Sequence, residues 1–129
     1  MKTVDQINII HMSKGKLPRL PFSDIKNAIL GKEYELSFVI VGPTKIKELN
    51  HTYRNINKPT DILSFPLEKN SGEIFICPSL SRIEAKKFDK PYDRFIGFLF
   101  IHGLLHLKGM EHSSTMEAEE AKYCARFGL

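Results

Sequence analysis

The stretch YDRFIGFLFIHGLLHL, Tyr92 to Leu107, constrains this chain more than any other. Apolar residues fall on nearly every side of the helix it would form, so it cannot lie on a surface with one face in water. It is shorter than the roughly 20 residues that cross a bilayer, and it holds two histidines, so a membrane span is not expected. What remains is a central helix buried by the rest of the chain. With 129 residues, 42% of them hydrophobic and 26% charged, there is enough material for one domain around such a helix. No low-complexity tract or internal repeat is present, which argues against disorder and solenoids.

The flanking sequence predicts alternating strands and helices. Val4 to Ile10 is a candidate first strand, and Ser23 a candidate cap for a short helix through Ile25, Ala28 and Ile29 to Gly31. YELSFVIVG, Tyr34 to Gly42, is rich in β-branched and aromatic residues and reads as a buried strand ended by a Gly-Pro turn. Thr44 is expected to cap a helix with Ile46, Leu49 and Tyr53 on one face, followed by the loop RNINKPTD. DILSFP reads as a strand ended by Pro66, LEKNSG as a turn, and EIFICP, Glu73 to Pro78, as another strand. Ser79 or Ser81 is expected to open a helix through Ile83 to Phe88. Gly109 is a suitable stop for the central helix. Ser114 and Glu117 match a capping box for a final helix carrying Met116, Ala118, Ala121, Tyr123 and Cys124. The expected class is α+β, a single domain with a small mixed sheet packed by helices.

Charge and cysteines narrow the function classes. Net charge is +4, a mild basic bias compatible with a polyanionic partner but equally with solvated lysines. Cys77 and Cys124 form no C-x-x-C pair, so neither a disulfide framework nor a cysteine zinc site is expected. The N-terminal MKTVDQINIIHMSKGK is too interrupted by polar residues for a signal peptide, so the expected location is the cytoplasm.

Three of the five histidines lie in HGLLHLKGMEH, residues 102 to 112. On a helix, residues four apart differ by about 40° in bearing and about 6 Å in rise, so His102 and His106 project from one face. A third ligand cannot come from position 112 of a straight helix. Gly109 can take the positive φ that ends the helix and lets the chain return His112 toward the same point. A single histidine in an apolar helix is ordinarily a hydrogen-bonded core residue. Three in this arrangement form a donor set for one divalent ion, with zinc expected and other ions suited to imidazole possible. His11 and His51 lack such partners.

The spacing H-x-x-x-H-x-x-G-x-x-H is also that of zinc endopeptidases, which need Glu directly after the first histidine as general base. Gly103 stands there, which removes the base and leaves the metal cradle. The same glycine suits close helix packing.

Several segments together resemble the YbeY family of bacterial rRNA-maturation endoribonucleases, whose hallmark is H-G-x-L-H-L-x-G-x-D-H. HGLLHLKGMEH matches every fixed position except that Glu111 replaces Asp. LNHTYRNINKPTDILSFP, Leu49 to Pro66, resembles the family's second block, and GEIFIC resembles its G-D-I strand with Glu73 in place of Asp. The resemblance implies a cytoplasmic, zinc-dependent endoribonuclease specific for single-stranded RNA, acting in 16S rRNA 3′-end processing and ribosome quality control. It implies the ribosome or its proteins as partners, His102, His106 and His112 as zinc ligands, and Arg54 as the functional arginine.

The chemistry is consistent with that expectation. A zinc ion on three histidines lowers the pKa of its water from about 15.7 to about 7, giving a hydroxide nucleophile without a side-chain base. Attack on a phosphodiester concentrates negative charge on its non-bridging oxygens, and the Arg54 guanidinium is the candidate to neutralise it. Glu111 is either a support for a ligand or water, or a solvated turn residue. Asp61 and Ser64 are cleft candidates from their place in the matched block. Lys58, Lys86 and Lys87 are candidate RNA contacts, although solvated lysines fit each of them individually. Two other readings stay open: a zinc peptidase or amidase, and a ribosome assembly factor with a structural metal.

Overall fold

The computed structural model describes residues 7–129. Its elements run β1 (Ile7–His11), α1 (Phe22–Leu30), β2 (Glu35–Ile40), α2 (Pro43–Arg54), β3 (Ile62–Glu68), β4 (Ser71–Ile76), α3 (Pro78–Lys87), α4 (Tyr92–Leu107) and α5 (Ser114–Arg126). The four strands form one mixed sheet in the order β1-β2-β4-β3, with β1, β2 and β4 parallel and β3 antiparallel to β4. This is the expected α+β class. The start of the first expected strand, at Val4, lies outside the described residues.

Side-chain alternation along β2 divides the core. Leu36, Phe38 and Ile40 join Ile74 and Ile76 of β4 on one face, where α1, α4 and α5 pack. Val39 and Val41 face the other way with Leu63 and Cys77, under Ile46 of α2. Helix α4 has Phe95, Ile96, Leu99, Phe100, Ile101, Leu104 and Leu105 buried, which explains why the sequence has no polar face there. Phe100 meets Phe38 at 4.7 Å and Phe22 at 4.9 Å between ring centres, so α4 is fixed to both the sheet and α1.

The helix starts differ from the expected caps for identifiable reasons. Pro43 and Pro78 occupy the first turns of α2 and α3, so Gly42 and Cys77 are the cap residues rather than Thr44, Ser79 or Ser81. Proline has its φ already set for a helix and lacks the N–H that a cap would satisfy. Helix α1 begins at Phe22 after Pro21, which leaves Ser23 inside the helix. In α5 the cap is Ser113, whose Oγ accepts from the Met116 N–H at 3.2 Å, one residue before the expected Ser114. Pro66 does not end its strand. It sits inside β3, an edge strand where a missing N–H is tolerated, and the expected turn LEKNSG shrinks to Lys69 and Asn70.

Candidate metal centre

His102 and His106 stand half-buried on the same side of α4, with ring centres 4.5 Å apart. The helix then ends at a left-handed Gly109, φ 102°, where the Gly109 N–H donates to the His106 carbonyl and the Met110 N–H to that of Leu105. That paired reversal is a Schellman turn, and it sends the chain back along the helix end. His112 consequently returns to the pair, its ring 4.9 Å from His102 and 4.7 Å from His106. One ligand atom from each of the three lies within 4.8 Å of the others.

The hydrogen bonds behind the rings determine which nitrogens face inward. His106 Nδ1 lies 3.0 Å from the Met110 carbonyl, which can only accept, so Nδ1 carries the proton. His102 Nδ1 donates likewise to the Glu120 carboxylate at 2.5 Å. Both Nε2 atoms then carry unprotonated lone pairs, and they face one another at 3.0 Å. Two lone pairs that close repel unless a cation lies between them. Tetrahedral donors at about 2.0–2.1 Å from zinc are about 3.3 Å apart, near the observed spacing, so this donor set fits a metal ion. Burial, first, pushes the His106 imidazole below its ordinary value; the hydrogen bond to the Met110 carbonyl opposes the shift, and the electrostatics of the neighbouring His102, His112 and Arg54 add to it. A neutral ring is the ligating form.

The triplet opens into a cleft of about 240 Å³ that also holds Arg54, Asp61, Ser64, Thr60 and Phe98. Arg54 is the exposed last residue of α2, and β3 contributes Ser64. Burial, and then repulsion from Glu84, holds the Asp61 carboxyl above its usual range, while a 3.5 Å hydrogen bond from Thr60 Oγ1 opposes the shift. Gly103 explains how strand and helix come so close. A Cβ there would meet Ser64 Oγ at 2.9 Å and Ile74 Cδ1 at 3.1 Å.

Four sequence candidates lie outside the cleft lining. Glu111 is exposed in the turn before His112. Lys58 offers its carbonyl to Asn50 Nδ2 at 2.9 Å, which ties the Arg54-to-Asp61 loop to α2. Lys86 is exposed, and Lys87 pairs with Glu84 at 3.2 Å. Sequence reasoning missed Glu120, Thr60, Phe98 and the Met110 carbonyl. Glu120 had a signal: it interrupts the apolar stripe of α5 between Met116 and Tyr123, and it is 8% exposed. A carboxylate in that position needs a partner, and His102 is the one it has.

Fold and donor set together define an α+β domain with a three-histidine candidate metal centre between a buried helix and an edge strand. Residues 20–126 match the family model described as "Endoribonuclease YbeY". The Endoribonuclease YbeY of Acholeplasma laidlawii is 38% identical over 103 residues, covering 77% of this chain and 72% of the relative. That of Aliarcobacter butzleri is 37% identical over 112 residues, covering 82% and 79%. A solution structure of a Thermotoga maritima protein superposes with a TM-score of 0.65 at 30% identity, covering 91% of this chain and 85% of that one. The chain belongs to the YbeY family.

Proposed function

We propose that the chain is a metal-dependent endoribonuclease that hydrolyses single-stranded RNA in the cytoplasm, with ribosomal RNA near the 3′ end of 16S as substrate and the ribosome as its working partner. The observation that carries this reading is the convergence of three imidazoles and one guanidinium on a single cleft, in a chain related to endoribonucleases. His102, His106 and His112 hold the ion, zinc by preference. When bound, the ion supplies Lewis acidity and an acidified water. Glu120 and the Met110 carbonyl hold the two helix-borne rings in their ligating tautomer. Arg54, exposed at the cleft wall, neutralises the charge that gathers on the non-bridging phosphate oxygens in the transition state. Asp61 and Ser64 shape the opposite wall.

The peptidase reading loses ground on Gly103. Its missing side chain would point at Ser64 and Ile74, so no acid can stand directly after the first histidine. A purely structural metal is opposed by the opening of the triplet into the cleft, because structural zinc sites are closed by a fourth protein ligand.

Metal content and cleavage of single-stranded RNA measured on one purified sample, before and after chelation, test the reading. Both should fall together and return with zinc. Cleavage that persists in metal-free protein overturns it. Arg54→Ala should lower kcat by about 10²–10³ with metal content and melting temperature unchanged, since the side chain is exposed and acts on the transition state. Lysine should rescue poorly, as a point charge does not reproduce a planar fork. A folded, metal-loaded alanine variant with wild-type kcat removes Arg54 from the chemistry.

A further inference from the structure

The two edges of the sheet are built differently. β3 is defended against further pairing: Pro66 lacks an N–H, the register shifts between Pro66 and Glu68, and Glu68 and Lys69 add exposed charge. β1, at the opposite edge, reads INIIH, with no proline, no lysine and no register shift. Beyond it the Met12 N–H donates to the Ile40 carbonyl at 2.8 Å. Alternation then turns the backbone groups of Asn8 and Ile10 toward β2 and those of Ile7, Ile9 and His11 outward. No strand among the described residues meets them.

Apolar side chains are uncovered on both faces of this edge. Ile10, in register with Val39, and Met12 lie on the side of α2, 43% and 61% exposed. Ile9 and His11, in register with Phe38 and Ile40, lie on the side of α1. There they border a cavity of about 590 Å³ completed by Leu17, Leu20 and Phe22, with exposed Lys16 and Arg19 among its walls and no carboxylate. From Ile7 to Phe22 the sequence holds no acid, and the ion pairs among the described residues lie elsewhere. The cavity is also held in shape. Tyr92 Oη donates to the Lys16 carbonyl at 2.9 Å, and a Cβ on Gly15 would meet Pro78 Cγ at 2.7 Å.

A row of outward backbone donors and acceptors matches an extended polypeptide, which carries the same groups at the same spacing. Nucleic acid would meet the cations but leave Ile9, Ile10 and Met12 in water. A second copy, paired edge to edge about a two-fold axis, would set Lys16 and Arg19 against their own kind. Carboxylates and aliphatic side chains on one strand satisfy both needs.

We infer that the β1 edge is a docking site for an acidic, extended segment of a partner protein, which joins the four-stranded sheet as one more strand. On the α1 side its carboxylates meet Lys16 and Arg19, and one aliphatic side chain enters the cavity. Its alternate residues, also aliphatic, cover Ile10 and Met12. Because β2 and β4 separate β1 from β3, a partner held there leaves the metal cleft open. The inference stands on the sheet edge alone and is independent of the endoribonuclease reading.

The probe is a labelled, end-blocked peptide of about eight residues that alternates Val with Glu, one Glu replaced by Leu. Fluorescence anisotropy should show saturable binding with a Kd below about 1 mM. Two further peptides carry N-methyl groups, one on the Val set and one on the remaining set. Only one set of N–H groups can face β1, so one of these peptides should lose about tenfold or more and the other should bind like the parent. Lys16→Glu with Arg19→Glu should weaken the parent at least about tenfold, while Lys69→Glu with Lys86→Glu, an equal change in net charge, should leave it unaltered. Absent saturable binding, or equal binding of both N-methyl peptides, overturns strand addition, and both readings use the wild-type protein. Equal losses in the two double variants reduce the site to overall charge and overturn it too. Single-stranded RNA that displaces the peptide, and that itself loses affinity in Lys16→Glu with Arg19→Glu, would make this a nucleic-acid surface. A wild-type dimer in sedimentation that Ile10→Lys dissolves would make the occupant a second copy.

Discussion

His102 and His106 differ from His112 in everything except residue type. The first two rise from a buried helix and each has its rear nitrogen engaged, by Glu120 and by the Met110 carbonyl. His112 sits in an exposed turn and reaches the site through ring contacts with the other two. The centre therefore has a preorganised half and a closing half. Helix packing sets where the first two donors point, at no further ordering cost, whereas the third is placed by the turn alone.

The comparison is most directly tested by removing the three histidines one at a time. His106→Ala should weaken zinc binding by more than about 100-fold, beyond what the loss of a supporting partner costs. His112→Ala should cost about tenfold, since water can take an exposed position. Competition against a chelator of known affinity measures both, and equal losses would erase the distinction. Between the two falls Glu120→Ala, expected to cost roughly 10- to 100-fold in zinc affinity, with Glu120→Gln recovering part because its amide oxygen still accepts from His102 Nδ1. If alanine and glutamine bind zinc like the wild type, the helix pair is not preorganised by its partners. Gly109→Ala addresses the closing half. A Cβ at φ 102° should cost about 1 kcal/mol in urea unfolding and weaken zinc binding only to the level of His112→Ala. A drop as deep as that of His106→Ala would show the turn positioning both halves.

The smallest effect concerns protons in the metal-stripped protein. His106 is held below its ordinary value of 6.5, chiefly by burial, so the unfolded chain binds a proton more readily than the fold does. Its contribution is fully present above pH 6.5 and is lost as pH falls from there through the folded value. Urea midpoints recorded from pH 7.5 downward should decline, and the decline should be shallower in His106→Gln. The same slope in both proteins would place the acid sensitivity elsewhere.

The two halves also differ in how readable they were. Helix α4 runs from Tyr92 to Leu107 as the apolar run predicts, because burial on all sides leaves no competing periodicity. The reversal at Gly109 was legible too, since glycine is the residue best suited to a left-handed stop. Helix starts were poorly read. Serine and threonine attract the eye as caps, while Pro43 and Pro78 start their helices through a fixed φ. Glu120 was missed because its partner lies 18 residues away, a contact that exists only once α5 folds back over α4. The cleft wall was legible only through resemblance: nothing local in Asp61 or Ser64 says that β3 will pair at the sheet edge beside Gly103.

Past the left-handed glycine of the Schellman turn after α4, chain length rather than residue choice is the sensitive variable. The reversal is completed at Met110, and His112 follows only two positions later. The one side chain between them, Glu111, is exposed and can be exchanged widely. A single added or deleted residue, however, would rotate the third imidazole away while leaving the capped helix and its hydrogen bonds intact. Variation at position 111 should therefore be free in letters while the spacing from Met110 to His112 is strict in count, a pattern of tolerated substitutions without tolerated gaps.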